Sequence, residues 1–189
     1  MSNYQLTTQH KREVNTTLLA FTLTLLAFTL NGLTSASAMG SGDKFQDLQT
    51  GVSYKVYKPS NTLGLKPLNF EVRDCKLFPK KDSYLLAGYG GMDQGIALVE
   101  SSAQFNCAGV DHPQSLGSIK INGISAKIGI YCPSKCKASD FSKFGGEITY
   151  TTPKSKTLGS TFIRVGTQGG YTLKELTTFA KSLKPVLEK

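Results

Sequence analysis

The chain has 189 residues, with 22 Lys and Arg against 13 Asp and Glu and a net charge of +9 at neutral pH. Its basic residues are scattered, and beyond Lys11-Arg12 the only tight groups are Lys80-Lys81, Lys135/Lys137 and Lys154/Lys156. A run of five or more is absent, which excludes a basic arm for nucleic acid and leaves attraction to acidic neighbours such as anionic lipid, acidic wall polymer or polyphosphate.

At the N-terminus, Lys11 and Arg12 precede an apolar run from Leu18 to Leu30 broken only by threonines, and Ala36-Ser37-Ala38 follows. This is the layout of a secretory signal peptide over residues 1–38. The repeat of Leu-Leu-Ala-Phe-Thr-Leu at 18–23 and 25–30 is too short for a coiled-coil seam. A spanning helix needs about 20 predominantly apolar residues. Val14 to Leu33 reaches that length only by including Asn15, Asn31 and Gly32, so cleavage after Ala38 is expected over retention as an anchor. An uncleaved signal segment would be the chain's only route into a membrane. What remains is the size of one ordinary domain and is still strongly basic.

Residues 39–50 form a polar lead-in with room for one helical turn, and a single domain is expected over 51–189. Val52 to Lys58 alternates Val52, Tyr54 and Val56 against Ser53, Lys55 and Tyr57, the period of a half-buried strand, and Pro59-Ser60-Asn61 stops it. Leu68 to Phe78 is a second strand, closed by Pro79. Ser83–Tyr89 and Ile96–Val99 pair across the glycine-rich segment Gly90–Gly95. Ile119–Ile121 and Ile124–Ile128 flank Asn122-Gly123, the strongest short-range signal for a type I′ hairpin, with the second arm running on through Ile130 and Tyr131 to Cys132. Glu147–Thr152 and Ser160–Val165 are two further strands around the Pro153 loop.

The best-specified helix closes the chain. Thr172-Leu173-Lys174-Glu175 is a capping box. Leu173, Leu176, Ala180, Leu183 and Leu187 follow at three- and four-residue spacings as one apolar stripe, with Pro185 as a stop that would leave Leu187 in a tail. So short a helix is marginal alone, and its stripe needs the sheet. The expected fold is α+β: an antiparallel β-sheet with a C-terminal amphipathic helix packed on one face, a β-sandwich being the alternative.

Cys75, Cys107, Cys132 and Cys136 all follow the export signal, where thiols oxidise, so two disulfides are expected. Of three connectivities, Cys132–Cys136 with Cys75–Cys107 is favoured, because Pro133-Ser134-Lys135 suits a turn between the first pair. The competing arrangement is a zinc site of Cys107, His112, Cys132 and Cys136, disfavoured in an oxidising compartment. A redox-active Cys-x3-Cys is disfavoured because the usual exchange motif has two intervening residues.

No catalytic signature stands out. Gly88–Gly95 leads into a strand rather than a helix and lacks Gly-Lys-Ser/Thr, so it is expected as a hairpin turn, with a ligand-touching loop as the alternative. Asp111-His112 is the sole Asp/His pairing beside a turn proline, and no Gly-x-Ser-x-Gly elbow exists. Asp74, Asp82, Asp93, Glu100, Asp111, Asp140 and Glu147 are scattered, and nothing pairs two of them for glycosidase chemistry. Tyr54, Tyr57, Phe70, Phe78, Tyr84, Tyr89, Phe105 and Tyr131 fall mostly in strands, where packing is expected over a stacking platform.

Ile119-Lys120-Ile121-Asn122-Gly123-Ile124, Glu147-Ile148-Thr149-Tyr150, and Gly170–Leu176 followed by Phe179–Leu183 carry a resemblance. Over about 70 residues the C-terminal half resembles a family of small extracytoplasmic domains of unknown function in bacterial envelope proteins, some attached to anti-sigma factors. The four cysteines and the free-standing export signal depart from that pattern. The resemblance implies an envelope α+β module and no chemistry.

The expectation is an exported, non-enzymatic binding or accessory domain without cofactor or metal. Its partner would be an anionic envelope component or another envelope protein. The alternative is an extracytoplasmic hydrolase-like enzyme whose site is assembled from residues distant in sequence.

Overall fold

A computed structural model of the chain describes residues 42–74, 83–91, 94–103 and 113–187. Asp43 caps a short helix α1 (Lys44–Gln49), its side chain accepting from the Phe45 and Gln46 N–H groups. The next strands are β1 (Tyr57–Pro59), β2 (Pro67–Asp74), β3 (Ser83–Gly90), β4 (Gly95–Ser102), β5 (Gln114–Ile121) and β6 (Ile124–Ile130). A 3-10 turn (Ala138–Asp140) runs into α2 (Phe141–Phe144), followed by β7 (Gly146–Thr151), β8 (Thr161–Thr167), α3 (Leu173–Lys181) and β9 (Leu183–Pro185).

Two meanders make the main sheet. β2-β3-β4 and β5-β6-β7-β8 join where β4 pairs with β8, giving an antiparallel seven-stranded sheet in the order β2-β3-β4-β8-β7-β6-β5. The Asn122-Gly123 hairpin forms as expected, with φ of 49° and 86° at its two central residues. β6 ends at Ile130 rather than at Cys132, and β2 is described only as far as Asp74.

Period-2 alternation sorts the strands into two faces. Leu85, Ala87 and Tyr89, Ile96 and Leu98, Ile121, Ala126, Ile128 and Ile130, Ile148 and Tyr150, Ile163 and Val165 are all buried on one face. Each large aliphatic side chain buried this way contributes about 1.5–3 kcal/mol. Over this face lie Leu176, Phe179 and Ala180 of α3, and Val52, Tyr54 and Val56 of the segment after α1. The protein is therefore an α+β fold in which the C-terminal helix covers one face of an antiparallel sheet.

The Val52–Lys58 alternation is present as burial, with Val52, Tyr54 and Val56 inward. Only Tyr57–Pro59 of it is a strand, and it joins β9 in a separate two-stranded ribbon. Tyr54 makes one isolated parallel bridge to Gly159. Residues 39–50, read as a polar lead-in, carry α1. Its Leu48 enters the core, and its buried Gln49 side chain donates to the Tyr54 carbonyl and accepts from the Val56 N–H.

The capping box on α3 is formed in both directions, Thr172 Oγ1 accepting from Glu175 N–H and Glu175 Oε2 from Thr172 N–H. The expected stripe needs correction. The helix ends at Lys181, with Ser182 as C-cap, before Pro185 can act. Leu183 is buried from a strand, Leu187 is 80% exposed, and the third inward residue of the helix is Phe179.

Among the described residues one carboxyl group lies inside this core. Glu100 of β4 sits between Leu85 and Ile163 in the sheet register and is fully buried. Its Oε2 accepts from the Tyr57 N–H at 3.0 Å, while Oε1 has no hydrogen-bond partner among the described residues. Burial pushes this carboxyl well above its ordinary value of 4.5, opposed only by the Tyr57 N–H. The folded chain thus keeps a proton that the unfolded chain releases above that value. Stability should fall as pH rises from about 4.5 toward the raised value, by at most about 1.4 kcal/mol per pH unit. Glu100→Gln, which keeps the shape and the acceptor for Tyr57, is expected to flatten that decline in urea midpoints taken across the range. An unchanged slope in the variant would show that Glu100 is not its source.

Candidate functional site

The second face of the main sheet is built from the residues that alternate with the core. Across β3, β4, β8, β7 and β6 the register aligns Gly88, Ala97, Gly166, Glu147 and Gly129 in one row. The adjacent row is Leu86, Val99, Arg164, Thr149 and Lys127. Three small residues on adjoining strands, Gly88, Ala97 and Gly166, contribute nothing larger than a methyl group over the middle of the sheet. A groove of about 360 Å³ lies there, lined by Leu68, Leu86, Ala97, Val99, Tyr131 and Arg164 together with the surrounding glycines and Thr167-Gln168.

The glycines in the row have different causes. A Cβ on Gly129 would fall 2.3 Å from Pro113 Cγ, and one on Gly88 2.1 Å from Asn69 Oδ1, so at both positions a neighbouring side chain occupies the space. Gly166 has no such constraint. Its φ is not left-handed, and a Cβ there would meet nothing closer than the Gly146 carbonyl at 3.6 Å. A β-branched residue would normally suit so central a strand. A methyl group at this position would meet only ordinary van der Waals contacts.

One wall is polar. Tyr131, just past β6, reaches back so that its hydroxyl lies 3.9 Å from where a Gly166 Cβ would be. That hydroxyl donates to Glu147 Oε2 at 2.6 Å. Arg164 Nη1 lies 3.8 Å from the same oxygen, and both charged side chains are largely buried (17% and 10% exposed). Glu147 does not itself line the groove but stands behind Tyr131 and Arg164. Arg164 is therefore the only charged side chain lining it among the described residues.

The residues singled out from sequence fall as follows. Cys132 and Cys136 form a disulfide (Cα–Cα 6.5 Å) around Pro133-Ser134-Lys135. The Gln114 side chain holds this loop, accepting from Cys136 N–H at 3.0 Å and donating to its carbonyl at 3.1 Å. Joined sulfurs offer no thiolate, so the Cys107/His112/Cys132/Cys136 zinc set cannot form in this state. Cys75, Cys107, Asp111 and His112 lie outside the described residues, as do the signal segment, Phe78, Asp82, Asp93 and Phe105. Of the Gly88–Gly95 segment, Gly88, Gly91 and Gly95 line the groove, with Met92 and Asp93 outside the described residues.

Glu100 and Glu147, the two buried acidic side chains among the described residues, lie on opposite faces of the sheet and do not form a catalytic pair. Asp140 receives the Lys137 N–H, and Asp74 stands exposed at the end of β2. The aromatics are divided as well. Tyr54 and Tyr89 are buried in the core, Phe70 packs edge-on against Phe45 at 5.0 Å, and Tyr89 and Tyr131 are the aromatics lining the groove among the described residues. The Lys135/Lys137 and Lys154/Lys156 groups are exposed.

Sequence reasoning missed Arg164, Gly166, and the short helix whose Phe141 is fully buried. Phe141 and Phe144 three residues apart, then Gly145, are the spacing and C-terminal glycine that would have signalled that helix. Among the described residues no helix is long and apolar enough to cross a membrane, and no three His, Cys, Asp or Glu side chains gather as a metal-holding group. No protein-family model, curated protein or solved structure matches the chain.

Proposed function

We propose that this protein is an exported, non-enzymatic binding domain of the cell envelope or extracellular space, and that it holds a small molecule in the groove over Gly166. The observation that carries this reading is the space itself. A Cβ at position 166 would meet only ordinary contacts, yet the position is glycine in the lining of a volume within the usual range of ligand pockets. Support for export comes from the basic, apolar and Ala-x-Ala succession at the N-terminus and from the Cys132–Cys136 bridge, a bond that persists in oxidising compartments. The alternative, an extracytoplasmic hydrolase, would draw among the described residues on the Tyr131–Glu147 pair as its acid and base.

The test uses protein recovered from the exported fraction, its intact mass taken first. A mass beginning at Met39 is expected, and one retaining residues 1–38 would count against the exported reading. A neutral, environment-sensitive dye such as Nile red should bind it. Gly166→Leu and Ala97→Leu, which fill the groove from neighbouring strands, should weaken dye binding at least roughly tenfold while leaving the thermal midpoint within a few degrees. Equal binding by both filled variants would sink the groove as the site.

A further inference from the structure

The main sheet ends on β5 at one side and on β2 at the other. An edge strand presents backbone N–H and C=O groups with which another strand can pair. β5 is blunted: a bulge lies between Ser115 and Gly117, Gly117 has φ of 104°, and Lys120 stands near the end of the strand. β2 is regular from Asn69 to Asp74. The hairpin between β3 and β4 fixes which of its backbone groups are engaged. Gly91 N–H donates to the Gln94 carbonyl, whereas Gly90 N–H donates to the Lys66 carbonyl, on the β2 side. Alternation along β3 then turns the backbone of Gly88, Leu86 and Tyr84 toward β2, where they face Asn69, Glu71 and Arg73. The N–H and C=O groups of Phe70, Val72 and Asp74 therefore point outward, without a backbone partner among the described residues. The Val72 side chain is 48% exposed.

We infer that β2 pairs antiparallel with β2 of a second copy of this chain, Val72 lying opposite Val72 of that copy. Backbone geometry allows only registers that bring outward-pointing residues together, and the charges choose among them. Setting Phe70 opposite Val72 brings Glu71 against Glu71, and setting Val72 opposite Asp74 brings Arg73 against Arg73. Centring on Asp74 opposes two aspartates, and centring on Phe70 runs the second strand into the irregularity between Pro67 and Asn69. Centring on Val72 places Glu71 opposite Arg73 twice. Those two side chains already pair within the chain, and Arg73 also bonds Tyr84. The register is selected by which charges stand opposite, not by spare donors. Phe70 with Asp74, Val72 with Val72 and Asp74 with Phe70 then each exchange two N–H···O bonds. The result is one continuous sheet with a two-fold axis, and it does not depend on the groove holding a ligand. With one strand contributed by each copy, the contact is small and the dimer reversible.

Sedimentation equilibrium of the exported protein from about 1 μM to about 1 mM is expected to show a reversible monomer–dimer transition. Glu71→Arg and Arg73→Glu each set like charges opposite one another twice, and each should weaken the dimer at least roughly tenfold. Mixed together, these two variants should associate within about threefold of the unaltered chain, because each supplies the charge the other lacks. No effect confined to one chain produces that recovery. Val72→Pro, which removes an outward N–H and no bond to β3, should also weaken the dimer at least roughly tenfold, with the thermal midpoint within a few degrees. A protein that stays monomeric over the whole range overturns the inference. A dimer unchanged by all three substitutions overturns it too, by placing the contact elsewhere. Folded single variants that fail to associate when mixed would exclude this register and the inference with it.

Discussion

Phe179→Ala is expected to lower the unfolding free energy by about 3–5 kcal/mol, the range for truncating a buried phenylalanine. Phe179 is fully buried, and its ring meets Tyr89 edge-on with centroids 5.3 Å apart. α3 has nine residues, too few to persist as an isolated helix, so its stability comes from what Leu176, Phe179 and Ala180 bury. The loss should also travel. Immediately beyond the helix, Leu183–Pro185 pairs with Tyr57–Pro59, and Ser182 accepts from the Ser60 N–H, so loosening α3 releases the ribbon that ties down the N-terminal segment. Against a total of about 5–15 kcal/mol for an ordinary domain, this is a large fraction. Urea unfolding should show a lower midpoint at an unchanged slope. Thr178→Ala, on the exposed side of the same helix, should change stability by less than about 0.5 kcal/mol. A loss below about 1 kcal/mol for Phe179→Ala would mean that α3 is not held by this stripe.

Gly145→Ala is the second substitution with a large expected effect, about 3 kcal/mol or more, with failure to fold as its extreme. Gly145 ends α2 with φ of 73° and ψ of −178°, a conformation open in practice only to glycine. A Cβ there would also fall 2.2 Å from the Thr167 carbonyl oxygen, which is backbone and cannot rotate away. Gly146, next in the chain, is equally confined, its missing Cβ lying 2.2 Å from the Gly129 carbonyl and 2.6 Å from the buried Phe141 ring. This tight pair sets the entry of β7, and the Gly145 carbonyl accepts from the Tyr131 N–H at 3.2 Å. Glu147 and the Tyr131 hydroxyl are thereby brought to within hydrogen-bond reach. The comparison is Gly123→Ala, where φ is also positive (86°) but nothing lies within 4 Å. That change should cost only about 1 kcal/mol of backbone strain. Similar losses at positions 123 and 145 would show that close packing around Gly145 matters little; the readout is the same urea midpoint.

What could be read from the residues alone was whatever neighbours in the chain decide. Asn122-Gly123 is a turn because two consecutive positive φ angles are tolerated there. Thr172 and Glu175 cap a helix because each reaches the other's N–H across one turn. Val52, Tyr54 and Val56 face inward because extended backbone alternates its side chains, although the same alternation did not reveal that this segment crosses over the sheet. The apolar stripe misled at Leu183 and Leu187, since a spacing of three or four does not show where the helix stops. Ser182 ended it, and pairing with β1 claimed the residues beyond.

The groove was invisible for a different reason. Arg164 between Ile163 and Val165 reads locally as an ordinary polar position on a half-buried strand, and Gly166 as a weak spot in one. Only the pairing of β4 with β8, between strands far apart in sequence, makes β8 central and sets Gly166 beside Ala97 and Arg164 beside Val99. Glu147 and Tyr131 reach the same place through the β6–β7 and β7–β8 registers. The sequence by itself determined the local elements, the turn and cap chemistry, and the α+β class, because each depends on interactions spanning a few residues. The tertiary structure alone decided which strand lies in the middle, which face holds α3, and where a guanidinium meets an aliphatic surface, because those follow from long-range strand order that no local pattern encodes.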